Sequence, residues 1–102
     1  TPSSVDSIPS SNNQEDHVSM GANGAVKCKR VVDNVEKILA IELLNAAQAI
    51  EFRRPLKSSA ALENIITAFR EKVSFNTADR ILHDDMQAAV SFIRNSTPAM
   101  PD

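Results

Sequence analysis

A chain of 102 residues carrying 11 basic and 13 acidic side chains, a net charge of −2 and one cysteine makes at most one domain. The near-even charge excludes a strong electrostatic footprint for nucleic acid or an anionic membrane; Cys28 closes no internal disulfide and suits a reducing cytosol or an indifferent thiol equally, and a cytoplasmic setting is expected. No uncharged apolar run reaches the ~20 residues that a bilayer span needs, because Glu36, Lys37, Glu42 and Glu51 punctuate the most hydrophobic stretch.

Residues 1–11 hold five serines and two prolines with only Val5 and Ile8 as apolar anchors, and read as an extended connector. Starting at Thr1 inside this polar stretch, without a basic-then-apolar leader, the sequence reads as a truncated or processed product. Ser11 followed by Gln14 fits a capping box, in which hydroxyl and amide satisfy backbone N–H groups at a helix start, and it sets Glu15 in the first turn. Helical sequence is therefore expected over 12–95. Gly21 and Gly24 each cost about 1 kcal/mol relative to Ala in a helix interior, so a loosening is expected between Met20 and Ala25.

Over 25–54 neither Gly nor Pro interrupts the helical pattern; Arg53 and Arg54 complement the dipole at its end and Pro55 stops it. Apolar residues at Val31, Val32, Val35, Ile38, Leu39, Ile41, Leu43, Leu44 and Ile50 exceed one stripe, while Glu42, Asn45, Gln48 and Glu51 draw one narrow polar seam. A second helix is expected over 59–73, with Leu62, Ile65, Ile66, Phe69 and Val73 along one face, Glu63 near its start and Arg70 and Lys72 near its end. Residues 74–83 connect, with a turn at Thr77-Ala78-Asp79. Asp84 and Gln87 then repeat a capping-box signal for a helix that buries Met86, Ala89, Val90 and Ile93, and residues 96–102 read as a flexible tail.

The expected fold class is all-α, one long central helix with two shorter amphipathic helices, as part of a larger helical bundle. Two one-sided helices do not cover a helix that is apolar almost all round. The missing surface is expected from the remainder of a parent chain or from other copies.

The residue types that carry chemistry cluster at Gln14-Glu15-Asp16-His17. A first-turn acid such as Glu15 either caps the helix or serves as an ionisable group in a pocket; the dipole favours its charged form and burial its neutral form. Gln14 caps, or hydrogen-bonds a neighbouring group. Asp16 and His17 look like a ligand pair but have no further ligand at helical spacing, and His83 before Asp84-Asp85 reads as a helix flank; no metal site is expected. His17 and Cys28 do not form a nucleophile pair on a continuous helix, since eleven residues rise ~16 Å. Lys27, Lys29 and Arg30, like Arg53, Arg54 and Lys57, read as solvated faces and helix-end charges.

The block Asn13-Gln14-Glu15-Asp16-His17-Val18-Ser19-Met20-Gly21, running into a long helix that ends Ile50-Glu51-Phe52-Arg53-Arg54, resembles the C-terminal part of the histidine ammonia-lyases, a branch of the aromatic amino acid ammonia-lyases. The resemblance extends from roughly Val5 through the closing helices, and the Gln-Glu-Asp pattern points to the histidine branch. It implies elimination of ammonia from L-histidine to give urocanate, with Glu15 as the active-site glutamate that orients the substrate ammonium or its imidazole, and Gln14 as its hydrogen-bonding neighbour. It also implies a homotetramer whose active sites draw residues from several chains, and a 4-methylidene-imidazol-5-one (MIO) electrophile cyclised from Ala-Ser-Gly. This chain has no such tripeptide and no tyrosine, so the ring belongs elsewhere in the parent chain, and these residues alone are expected to be inactive. A phenylalanine or tyrosine ammonia-lyase or a related aminomutase is the neighbouring catalytic alternative. A non-catalytic helical oligomerisation module is the rival from another class.

Overall fold

The computed structural model describes residues 1–6 and 19–96. Among these, a single 3₁₀ turn, Ser3–Asp6, precedes three α-helices: α1 over Gly21–Glu51, α2 over Ala60–Arg70 and α3 over Leu82–Asn95. No strand occurs among the described residues, in keeping with the all-α expectation. The chain divides into two compact units, Thr1–Asn34 and Val35–Asp102.

Within Thr1–Asn34, the predicted connector contains a turn where an extended run was expected, closed by Val5 N–H on the Pro2 carbonyl at 3.2 Å. The loosening expected between Met20 and Ala25 is instead the start of α1. Gly24 N–H donates to the Met20 carbonyl at 2.8 Å, and the helix then continues without interruption. Two glycines weaken this first turn without breaking the helix.

Within Val35–Asp102, α1 turns Ala40, Leu43, Leu44 and Ala47 inward, the i, i+3, i+4, i+7 pattern of one helical face. Ala40 and Ala47 are fully buried, and their small side chains let neighbouring elements approach α1 closely. Phe69, Val73, Ala89 and Val90 complete the buried core, with Phe92 and Ile93 packed against it. Phe69 and Phe92 meet edge to face at 5.4 Å, a geometry aromatic quadrupoles favour. The predicted apolar faces of the two shorter helices are the faces that pack, except that Leu62 stays exposed.

Helix ends depart from the sequence expectation in consistent ways. α1 stops at Glu51, three residues early: Phe52, Arg53 and Arg54 donate to carbonyls three residues back, tightening the exit ahead of Pro55. Arg53 and Arg54 therefore lie beyond the helix. The residue that reaches the end of α1 is Arg70, at the last turn of α2, whose Nη2 donates to the Ala47 carbonyl at 2.8 Å. α2 likewise ends at Arg70, where Lys72 and Val73 N–H groups converge on the Phe69 carbonyl at 2.9 Å. α3 begins at Leu82, two residues before Asp84, so the Asp84–Gln87 capping box does not form; Ile81 is the cap residue and supplies no side-chain hydrogen bond.

Candidate functional site

Gln14 and Glu15, the proposed site residues, lie outside the described residues, as do Asp16 and His17. What the structure gives is their two flanks, both within Thr1–Asn34. On one side Ser19 and Met20 lead directly into α1, and the Met20 carbonyl closes its first turn. On the other side Lys27, between one and two turns into α1, extends its ammonium to the Thr1 carbonyl at 2.5 Å. One basic side chain thus ties the start of the chain to the helix that the Gln14–Glu15 block enters, across 26 residues. Sequence reading took Lys27 for a solvated face; a tie to a backbone carbonyl so distant in sequence leaves no local signal.

Lys29 pairs with Asp33 at 2.8 Å one turn on, an exposed pair of small energetic weight. Cys28, between the two lysines, is exposed. Among the described residues no group of three His, Cys, Asp or Glu side chains is placed to hold a metal ion. Among the same residues no helix is long and apolar enough to cross a membrane.

Three of the polar devices in the unit Val35–Asp102, none predicted, gather around the last turns and exit of α1. At the exit from α1, Arg54 forks onto both oxygens of Glu63 at 2.9 and 2.8 Å, while Ser58 N–H donates to the same carboxylate at 2.8 Å. These contacts hold the Glu63 carboxyl pKa down from 4.5 to about 2, the Arg54 hydrogen bonds first and Ser58 next, and the pairing raises the Arg54 pKa in turn. A bidentate guanidinium–carboxylate pair fixes geometry as well as charge. It staples the elbow that includes the cis Arg54–Pro55 bond. Ser59 adds the helix cap, accepting from Leu62 N–H at 3.4 Å.

Arg70 is the second device. Besides Ala47 it donates to the Val73 carbonyl at 3.2 Å, and its guanidinium lies 5.8 Å from the Phe75 ring. Burial lowers its pKa, partly offset by Glu51. The third is Gln48, whose side-chain amide copies a backbone pair: it donates to the Asn76 carbonyl at 2.9 Å and accepts from Asn76 N–H at 3.1 Å. Gln48 belongs to the polar seam read from the sequence, and this reciprocal pair explains one of its members.

Beside that pair lies an open groove of about 530 Å³, walled by Ile38, Ile41, Leu44, Leu82 and Met86, with Glu42 its one ionisable lining residue. A single exposed carboxylate without an opposing acid, base or nucleophile supplies no proton-transfer pair. The described lining of this groove therefore offers no proton-transfer pair, and Gln14 and Glu15 stand as the expectation drawn from the sequence.

The family model for aromatic amino acid lyases matches residues 1–71, a span that includes Gln14 and Glu15. The chain is 50% identical over 94 residues to the histidine ammonia-lyase of Symbiobacterium thermophilum, 51% over 94 residues to that of Caldanaerobacter subterraneus subsp. tengcongensis, and 48% over 94 residues to that of Idiomarina loihiensis. Each match covers 92% of this chain and 18% of the relative, so the chain spans about a fifth of their length. The crystal structure of histidine ammonia-lyase from Trypanosoma cruzi superposes with a TM-score of 0.85 at 42% identity, over 91% of this chain and 18% of that one. A family model that fits residues 1–71, relatives near half identity and a shared all-α backbone agree: the chain belongs to the aromatic amino acid lyase family.

Proposed function

We propose that this chain is the C-terminal segment of a histidine ammonia-lyase, a carbon–nitrogen lyase that eliminates ammonia from L-histidine to give urocanate in the first step of histidine degradation. The observation that carries the proposal is identity near 50% over almost the whole chain to three proteins of that activity. In this reading Glu15 contacts the substrate, its carboxylate orienting either the ammonium or the imidazole, and Gln14 hydrogen-bonds a neighbouring group of the site. The reaction removes a weakly acidic proton while an amine departs, and a fixed carboxylate suits both the holding of a cation and the movement of a proton.

The family's MIO ring supplies the electrophile when present. This chain has no Ala-Ser-Gly tripeptide from which to form it, so the ring belongs to the parent chain outside these residues, and no step is assigned to it here. The partners in this reading are the rest of the parent chain and further subunits, as a homotetramer, in the cytoplasm. Support comes from the surface of α1: Val31, Val32, Val35, Ile38, Leu39 and Ile41 are all exposed. Each is 45–61% exposed, so covering the remainder is worth about half of the 1.5–3 kcal/mol of full burial, and the six together on the order of 5–9 kcal/mol.

The test is Glu15→Gln in the full-length enzyme, with urocanate followed by its ultraviolet absorbance. We expect turnover to fall by about 10²–10⁴-fold, the usual contribution of a positioned acid or base. The 102-residue chain alone is expected to form no urocanate. Unchanged turnover by the variant overturns the assignment of Glu15. Faster elimination from phenylalanine or tyrosine than from histidine overturns the substrate.

A further inference from the structure

We propose that Asn23 is a site of spontaneous deamidation whose rate is set by opening of the first turn of α1. Of the eight asparagines in the chain, Asn23 alone is followed by glycine. That order matters because the reacting nucleophile is the backbone nitrogen of the next residue, and a glycine there carries no side chain to obstruct the approach. A Cβ built at Gly24 would meet nothing within 4 Å beyond its chain neighbours and the helix's own backbone, so no other side chain crowds that position.

Asn23 is exposed, and its carboxamide is held only loosely: Nδ2 lies 3.6 Å from the Met20 thioether sulfur, a weak acceptor. One restraint is firm, since Gly24 N–H donates to the Met20 carbonyl at 2.8 Å. While that bond stands, the nitrogen is committed to the helix and is not free to turn on its neighbour. It belongs to the least secure turn of α1, which contains both glycines of the chain and no acidic residue to complement the dipole. Opening of that turn is therefore the gate.

Once the bond is open, base removes the Gly24 amide proton and the nitrogen attacks Asn23 Cγ. The new C–N bond closes a five-membered succinimide, and the side-chain nitrogen leaves as ammonia. Water then opens the ring at either carbonyl, giving aspartate or isoaspartate with one molecule of water consumed. Aspartate in a first turn suits the helix dipole. Isoaspartate carries an additional methylene in the backbone, which displaces the Gly24 N–H from the Met20 carbonyl. The second product thus prevents the original first turn from re-forming.

The experiment incubates the full-length protein at mildly alkaline pH and physiological temperature and maps each asparagine by peptide mass spectrometry with an isoaspartate-specific assay. We expect Asn23 to convert ahead of every other asparagine in this stretch, including Asn95, which precedes Ser96. Gly24→Ala, for which the space exists, is expected to slow conversion at least fivefold through the helix preference of Ala alone, and Ala22→Gly to hasten it roughly fivefold by loosening the same turn. Conversion of Asn95 ahead of Asn23 overturns the site. A rate at Asn23 unmoved by Ala22→Gly overturns the gating.

Discussion

The two units of this chain differ in what holds them. Val35–Asp102 has a core of its own: all six buried apolar residues found among the described residues fall there, from Ala40 to Val90. The described part of Thr1–Asn34 buries none, and its Val5, Val26, Val31 and Val32 are exposed. Its long-range tie is a lysine on a backbone carbonyl. The contrast teaches that the described residues flanking the block proposed for chemistry contribute no buried apolar core. A carboxylate that acts as proposed for Glu15 needs a geometry fixed to fractions of an ångström, which the described flanks do not supply through a core.

The sharpest way to break the comparison is to empty the core of the second unit. Phe69 is fully buried against Phe92, and Phe69→Ala is expected to cost about 3–5 kcal/mol. Amide hydrogen exchange is the suitable measurement, since the chain has no Trp or Tyr for fluorescence. Protection should collapse through α2 and α3. If α2 and α3 keep their protection, the independent core assigned to this unit does not exist.

A second perturbation uses pH. Glu63 has a folded pKa of about 2 against an ordinary 4.5, so the folded state binds its proton more weakly than the unfolded state. The stabilisation is complete above 4.5 and is lost as pH falls from there toward about 2. Acid titration followed by circular dichroism should show the unit weakening across that window, and Glu63→Gln should flatten the response. An equal acid response in Glu63→Gln would assign it to other carboxylates. The effect is smaller than that of Phe69→Ala because water reaches the pair.

Much of this organisation was legible in the sequence, and the parts that were not share a cause. The apolar periodicity of Phe69, Val73, Ala89 and Val90 gave the packed faces, because burial obeys the 3.6-residue repeat that those positions spell out. The excess of apolar residues on α1 gave its exposed girth. The end of α1 was misplaced by three residues where side chains are recruited from other elements, whereas α3 begins at Leu82 with no side-chain cap at all. Arg70 serves the end of α1 from α2, and Glu63 serves Arg54 across the elbow rather than only its own dipole. Lys27 on Thr1 and Gln48 on Asn76 likewise join residues 26 and 28 positions apart. Periodicity and capping rules act within about one turn, so contacts of this kind are invisible to them. Gln14 and Glu15 are proposed through resemblance alone, since a first-turn acid reads equally well as a cap.

The smallest expected effect separates the units most cleanly. Val31 is 60% exposed in α1, so Val31→Ala in the chain studied alone removes little buried surface and should change stability by less than about 0.5 kcal/mol. In the full-length protein the same substitution meets whatever covers that face. There the loss of two methyl carbons from a packed contact should cost on the order of 1–3 kcal/mol, the range of large-to-small changes in cores. The two measurements use one substitution and one assay, chemical denaturation monitored by helicity, so the intrinsic helix preference of Ala over Val cancels between them. A cost that rises in the full protein identifies Val31 as a covered position and the N-terminal unit as one stabilised from outside. Equal costs in both settings leave that face open to solvent, and the support of the Gln14–Glu15 block must then be sought along the opposite side of α1.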